Sequence, residues 1–190
     1  REKQRPLHAE ELETELADVE VCLCQLTDFI HGTNSGNKLK CLITYSVGTN
    51  HLDLKALAGK KIRVSHTPDV LTEATADLAW TLILACARRI PLGLATIEAN
   101  QFTGFDPCLG LGAALHGRTL GIVGMGRIGQ AVARRGLGFG MQILYASPRT
   151  LEERAISGIQ AQSVDLGELL KQADVLSLHC PLTPKTIRRL

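Results

Sequence analysis

The chain is poor in aromatic residues, with four Phe, two Tyr and one Trp among 190 residues. So few rings exclude the successive stacking platforms that single-stranded nucleic-acid binders use. An excess of charge is also missing. Twenty-one Lys and Arg against 19 Asp and Glu leave a formal net charge of +2, and no run of like charge offers a nucleic-acid or membrane-surface footprint. No apolar run is long enough to span a bilayer; the longest, Leu78 to Ala87, is interrupted by Thr81. The opening, Arg1-Glu-Lys-Gln-Arg-Pro6, lacks the apolar centre of a signal peptide. There is no C-x-x-C either. The six cysteines lie mostly inside apolar runs, where free Cys behaves as a small hydrophobe, a reduced and cytosolic pattern. Cys22 and Cys24 fall on one face of a strand with no second ligand pair, so they read as packing and no metal site is expected.

What is present is an ordinary soluble balance, 45% hydrophobic and 21% charged, in a length that suits one large or two small domains. One stretch organises the rest: Thr119-Leu-Gly-Ile-Val-Gly-Met-Gly-Arg-Ile-Gly-Gln130. A short β-branched strand runs straight into G-x-G-x-x-G at Gly124, Gly126 and Gly129, and a helix opens from Arg127 to about Gly138. In a dinucleotide site the first glycine makes the tight turn, the second lets backbone approach a pyrophosphate, and the third permits close helix–strand packing. The helix N-terminus supplies N–H groups and positive dipole to the phosphates. Met141-Gln-Ile-Leu-Tyr-Ala146 supplies the next strand and completes a β-α-β unit, which sets this pattern apart from an isolated glycine turn.

After that second strand a fold that binds NAD usually presents Asp or Glu to the ribose 2′-hydroxyl. This chain has Ser147-Pro-Arg-Thr150 instead. With no carboxylate to repel it, a 2′-phosphate could sit against the Ser147 hydroxyl and the Arg149 guanidinium, so NADP(H) is expected over NAD(H). The alternative is that Arg149 is an ordinary solvated loop arginine.

The rest of the chain alternates strands and helices, which implies an α/β fold with a parallel sheet and ligands at the carboxyl ends of strands. A short amphipathic helix is expected around His8 to Ala17, strands over Val19–Cys24, Leu39–Tyr45 and Lys61–Ser65, and a loop or weak helix over Thr27–Lys40. Asn50 and Asp53 suggest a helix start for His51 to Ala58 with Gly59 as its stop. Ser46-Val-Gly-Thr49 is either a substrate loop offering backbone N–H groups or a plain glycine turn. Thr72 to Arg89 is the longest helical stretch. It is apolar almost all round from Leu78 to Ala87, as in a helix buried on several sides between two domains. A boundary is therefore expected just before it, with domains at about 1–70 and 71–190. Beyond the glycine loop, a third strand is expected at Ile159–Ala161, a helix capped by Asp165 and Glu168 to about Gln172, and a fourth strand over Asp174–His179.

Several phrases in this order resemble the D-isomer-specific 2-hydroxyacid dehydrogenases, most closely their glyoxylate/hydroxypyruvate reductase branch. They are Ser46-Val-Gly with His51-Leu-Asp53, Thr67-Pro-Asp-Val-Leu-Thr-Glu-Ala-Thr-Ala-Asp77, Arg88-Arg-Ile-Pro91, Gly124-Met-Gly-Arg-Ile-Gly-Gln-Ala131 and His179-Cys-Pro-Leu-Thr-Pro184. The resemblance implies a Rossmann-type doubly wound sheet plus part of a flavodoxin-like substrate domain, with the active site in the cleft. It implies backbone N–H groups of Val47 and Gly48 for the substrate carboxylate and Thr75 near the nicotinamide. It also implies Arg127 and Ile128 at the pyrophosphate, and Cys180, Pro181 and Thr183 on the adenosine side. His179 is then a strand-end residue and not the acid–base histidine. The family's catalytic Arg, Glu and His, in N-x-x-R-G and P-H-x-G-like phrases, fall beyond Leu190, and none of the six histidines has the flanking residues they require. The opening strand of the substrate domain has no counterpart at the N-terminus, and Phe29 to Asn37 departs from the family's helical pattern. The resemblance thus implies a chain short at both ends, inactive by itself, from a protein that reduces a small 2-oxo acid and forms a cytoplasmic homodimer, with no nucleic-acid or membrane partner. The rivals are a dinucleotide-sensing regulator like the C-terminal-binding-protein corepressors of the same family, or a fragment that only binds cofactor.

Overall fold

The structure, a computed structural model, describes residues 5–32, 34–148, 158–183 and 186. The chain divides into two compact units, Arg1–Leu71 and Thr72–Leu190.

The first unit holds α1 (Ala9–Leu16), β1 (Val21–Cys24), β2 (Cys41–Thr44), α2 (Leu54–Gly59) and β3 (Arg63–Ser65). Its strands form a parallel sheet in the order β1-β2-β3, with Val21 opposite Cys41 and Cys41 opposite Arg63. Alternation along β2 sends Leu42 and Thr44 inward, both fully buried, and Ile43 outward. The core gathers Leu12 and Leu16 of α1, Leu57 of α2, Leu42 and Ile30. One sequence expectation changes here, and one open choice closes: the described residues of 27–40 take the loop and not the weak helix. Helix α2 starts three residues later than Asn50 suggested, because it is the Asp53 carboxylate that accepts the Ala56 N–H at 3.0 Å and caps it. Among the described residues of 27–40 there is no helix; side chains there bond their own backbone, as Asn34 does to the His31 N–H at 2.7 Å, which competes with helix formation.

The second unit runs α3 (Thr72–Ala87), α4 (Ile90–Glu98), β4 (Thr119–Val123), α5 (Arg127–Gly138), β5 (Gln142–Ala146), β6 (Ala161–Ser163), α6 (Leu166–Gln172) and β7 (Val175–Leu178). All four strands are parallel in the order β6-β5-β4-β7. The chain builds outward from β4 through β5 to β6, then crosses back to place β7 on the other side of β4. That reversal is the topological switch point of a Rossmann sheet. Helices cover both faces. Leu120 packs at Gly136 of α5, whereas its neighbour Gly121 meets Leu169 and Ala173 at α6, and successive strand residues point to opposite faces. Asp165 caps α6 by accepting the Glu168 N–H at 2.9 Å. The start of β7 is tied to the start of β4 by Asp174, which accepts the Thr119 N–H and an Arg118 N–H, each at 2.9 Å. Those bonds, the Thr119 one first, hold the Asp174 carboxyl below its ordinary pKa.

Helix α3 is buried on one side. Trp80 stacks on Phe139 with ring centroids 4.4 Å apart, and its indole N–H donates to the Val132 carbonyl at 3.0 Å. Arg135 of α5 pairs with Glu73 at 2.9 Å and Asp77 at 2.6 Å. The expectation of burial on several sides is not met, since Leu78 and Leu82 are more than half exposed. Leu78 and Leu82, two residues either side of Trp80, lie on the face of the helix opposite the one that packs on α5. Arg89, in the left-handed region at φ 52°, ends the run, and Pro91 sits in the first turn of α4, where its missing N–H costs nothing.

Candidate functional site

The glycine loop leaves β4 at Val123 and enters α5 at Arg127, and its three glycines meet different constraints. Gly124 takes φ +94°, and a Cβ on it would lie 2.7 Å from the Cys180 nitrogen and the His179 carbonyl carbon, so the chain leaving β7 passes directly over it. Gly129 lies against Gly124, where a Cβ would strike the Gly124 carbonyl oxygen. Gly126 is different. It caps α5 in an extended conformation, φ −76° and ψ −166°, that any residue adopts, and a Cβ there would enter open space. The fold requires glycine at 124 and 129, and leaves the bareness of 126 to something that approaches from outside. A pyrophosphate in front of the first turn of α5 suits that opening, because the first N–H groups of a helix have no carbonyl partner within it.

The same carboxyl edge collects other residues singled out from the sequence. The Gly124 N–H donates to the Ala146 carbonyl at 2.9 Å, which brings the end of β5 and the half-buried Ser147 to the loop. From Ala146 to Pro148 there is no carboxylate; Arg149 lies outside the described residues. On the other side the His179 N–H donates to the Val123 carbonyl at 2.8 Å, so Cys180 follows directly beside the loop. Pro181 and Thr183 continue as a turn closed by Thr186, whose hydroxyl donates to the Pro181 carbonyl at 2.6 Å and accepts the Thr183 N–H at 2.8 Å. Ile128 is half-buried and Arg127 exposed on the first turn of α5. Thr75 is half-buried on the first turn of α3, and among the described residues no hydrogen bond joins it to the glycine loop.

His179 directly follows β7 with its Nε2 2.8 Å from the Ser177 hydroxyl, and burial lowers its pKa. A groove of about 810 Å³ runs from α3 along β7, an edge strand among the described residues, lined chiefly by apolar groups such as Leu82, Ile83 and Leu176. It follows that edge from Asp174 to His179, the residue whose N–H bonds Val123 where the glycine loop begins.

In the first unit, Val47 and Gly48 lie on the loop that leaves β2. Here the structure adds Thr44, which no motif singled out, and ties it to Ser46 and His51 of the quoted phrases. Thr44, Ser46 and His51 are buried and bonded in series: Thr44 Oγ1 is 2.7 Å from Ser46 Oγ and 3.0 Å from His51 Nε2. The Ser46 hydroxyl donates to the Gly48 carbonyl at 2.7 Å. His66 Nδ1 is 3.0 Å from the Val47 carbonyl. His51 Nδ1 is buried without a hydrogen-bond partner among the described residues, and burial lowers the imidazole pKa against an opposing pull from the charge of buried Asp28. The available signal was the i, i+2 spacing of Leu42 and Thr44, which puts Thr44 on the core face.

Residues 80–190 match the family model described as D-isomer specific 2-hydroxyacid dehydrogenase, NAD binding domain. The chain belongs to this dehydrogenase family. A glyoxylate reductase of Thermococcus gammatolerans is 41% identical over 196 residues, covering 97% of this chain and 57% of the relative. A Thermus thermophilus protein of known structure superposes with a TM-score of 0.85 at 44% identity, over 95% of this chain and 57% of that one. D-lactate dehydrogenase from Aquifex aeolicus, solved with NAD and lactic acid, superposes at 0.82 with 32% identity, over 91% of this chain and 51% of its own. The chain thus spans a little over half the length of the relatives it matches. Its glycine loop, its switch point and the helices on both faces are those of a nicotinamide dinucleotide domain.

Proposed function

We propose that this chain is the coenzyme-binding part, with a portion of the substrate-binding part, of an NADPH-dependent reductase acting on a small 2-oxo acid of the glyoxylate or hydroxypyruvate kind. The observation that carries the reading is Gly126: bare backbone at the N-terminus of α5, open to solvent, in a loop whose other two glycines the fold itself demands. When bound, the nicotinamide supplies the hydride that converts the keto carbon to a D-hydroxy acid. The chain's own residues hold and orient. The first turn of α5, with Arg127 and Ile128, faces the pyrophosphate, while Cys180, Pro181 and Thr183 line the adenosine side. Ser147 and Arg149 favour a 2′-phosphate, and the lack of a carboxylate at 146–148 supports that preference. Thr75 stands toward the nicotinamide, and the N–H groups of Val47 and Gly48 receive the substrate carboxylate. The catalytic Arg, Glu and His of the family are not among these residues, so no turnover is assigned to the 190 residues by themselves.

The named relatives are reductases and dehydrogenases, which favours an enzyme over the corepressor-type regulator. The reading extends to a cytoplasmic homodimer. Leu94, Ile97 and Phe105 are exposed on and after α4, an apolar surface of the kind that self-association covers. Equilibrium binding of NADPH and NADH to the 190-residue chain tests the coenzyme claim. Tighter binding of NADPH by about tenfold or more is expected, as one charge-assisted hydrogen bond is worth about 1.5–3 kcal/mol. Equal affinity would remove the preference, and no binding of either would remove the reading.

A further inference from the structure

The loop Ser46–Thr49 has each of its carbonyls tied down. The Ser46 carbonyl accepts the Thr67 N–H at 3.0 Å, the Val47 carbonyl accepts from His66 Nδ1 at 3.0 Å, and the Gly48 carbonyl accepts the Ser46 hydroxyl at 2.7 Å. Every peptide bond here is trans. In a trans peptide the C=O and the N–H of the same unit point opposite ways. Fixing these three carbonyls therefore turns the N–H groups of Val47, Gly48 and Thr49 away from the groups that hold them. Among the described residues none of these three N–H groups donates a hydrogen bond. Gly48 itself has an ordinary φ, and a Cβ on it would meet nothing within 4 Å. As at Gly126, the fold does not require the bareness.

The buried series behind this loop has only one consistent direction. A carbonyl can only accept, so the single Ser46 hydroxyl proton goes to Gly48. Ser46 Oγ must then accept from Thr44, which spends the Thr44 proton, and Thr44 Oγ1 must accept from His51 Nε2–H. That places the imidazole proton on Nε2 and leaves Nδ1 as a bare lone pair, in agreement with its having no partner. An orphaned acceptor is the more tolerable of the two arrangements in a buried site.

We propose that His51 is a positioning residue for substrate recognition, acting through Thr44 and Ser46 to pin the Gly48 carbonyl and so fix the loop from which Val47 and Gly48 present their N–H groups to the substrate carboxylate. This inference rests on the reading of the loop as the carboxylate site. His51 touches no substrate; it donates one proton into a relay whose far end is the Gly48 carbonyl, and holding that carbonyl fixes the loop whose Val47 and Gly48 N–H groups do the binding. Donors oriented before the ligand arrives need no reorganisation when it does, which is where the affinity comes from.

The test uses the uniformly 15N-labelled 190-residue protein with NADPH present and oxamate, a stable 2-oxo acid mimic, as the probe. Imidazole 15N shifts are expected to report His51 neutral with its proton on Nε2. Oxamate is expected to move the Val47, Gly48 and Thr49 amide signals. Thr44→Val, which keeps the shape but ends the relay, is expected to weaken oxamate about tenfold, the worth of roughly one oriented hydrogen bond. Ser46→Ala should do the same, the double variant should be no worse than either alone, and Thr44→Ser, which keeps the hydroxyl, should restore binding. A His51 proton on Nδ1 would overturn the relay. Wild-type binding at these amides with Thr44→Val unchanged would overturn the positioning role. If oxamate leaves the three amides unmoved in the wild type, the carboxylate-loop reading itself fails, and the inference with it.

Discussion

Alanine at Gly126 should weaken coenzyme binding at least about tenfold and leave the fold untouched. At φ −76° and ψ −166° alanine is unstrained, and its methyl group meets no atom within 4 Å. Gly-to-Ala at a compatible backbone position stabilises by about 0.4–1 kcal/mol through the unfolded chain, and the N-cap preference for glycine over alanine offsets about as much, so the net change in stability is near zero. Binding responds otherwise. A methyl group in front of the first turn of α5 pushes a pyrophosphate back from the helix N–H groups. Each charge-assisted hydrogen bond lost costs about 1.5–3 kcal/mol, and one lost bond already means roughly a ten- to hundredfold rise in Kd. Gly129→Ala is the counterpart. Its methyl group would strike the Gly124 carbonyl, so the helix must move off the loop, an overpacking cost of about 1–3 kcal/mol that lowers Tm by several degrees. Calorimetric titration with NADPH beside thermal unfolding separates the two. Gly126→Ala that binds NADPH like the wild type, or that unfolds as early as Gly129→Ala, would refute the argument.

Three more outcomes follow from the geometry. Trp80→Ala removes the stack on Phe139 and the bond to the Val132 carbonyl and should destabilise the second unit by about 3–5 kcal/mol in urea unfolding; a loss under about 1 kcal/mol would mean that α3 is not anchored there. Ser147→Asp should invert the coenzyme preference by about ten- to hundredfold toward NADH, because a carboxylate repels the 2′-phosphate and accepts the ribose hydroxyl; an unchanged NADPH-to-NADH ratio of Kd values would clear Ser147 of that role. Burial lowers the pKa of both His51 and His179 from the ordinary 6.5. Below that value the unfolded chain binds more protons than the folded one. The stability from these two groups is therefore complete above 6.5 and is lost as pH falls from there through the lowered folded pKa values. Urea midpoints across about pH 5–8 should show that slope, and replacing both imidazoles by Asn should flatten it; a slope unaffected by the double replacement would assign it elsewhere.

Much of this was legible before any coordinates, for a physical reason. The strand, glycine loop and helix from Thr119 to Gly138 are contiguous, so local backbone preferences and apolar spacing specify them without help from distant residues. The same holds for the capped helix that starts at Asp165 and for the alternation of strands and helices that implied parallel sheets. Residue chemistry alone also showed a second strand followed by Ser147 where an acid is usual.

Long-range contacts decided the rest. Only the crossover that sets β7 beside β4 brings Cys180 onto Gly124, 56 residues away in sequence, and so turns separate phrases into one edge. Pattern placed the start of α2 at Asn50, whereas the cap is Asp53, because side-chain reach depends on how the preceding loop folds. The apolar run in α3 suggested burial on several sides, but which side finds a partner depends on where α5 lies. Thr44 belongs to no motif, and the phrase that holds Ser46 and His51 does not show that the three are bonded. Their direction of proton donation exists only once a strand, its exit loop and the turn before α2 are packed together, because a hydrogen-bond relay is a property of distances that composition and spacing do not contain.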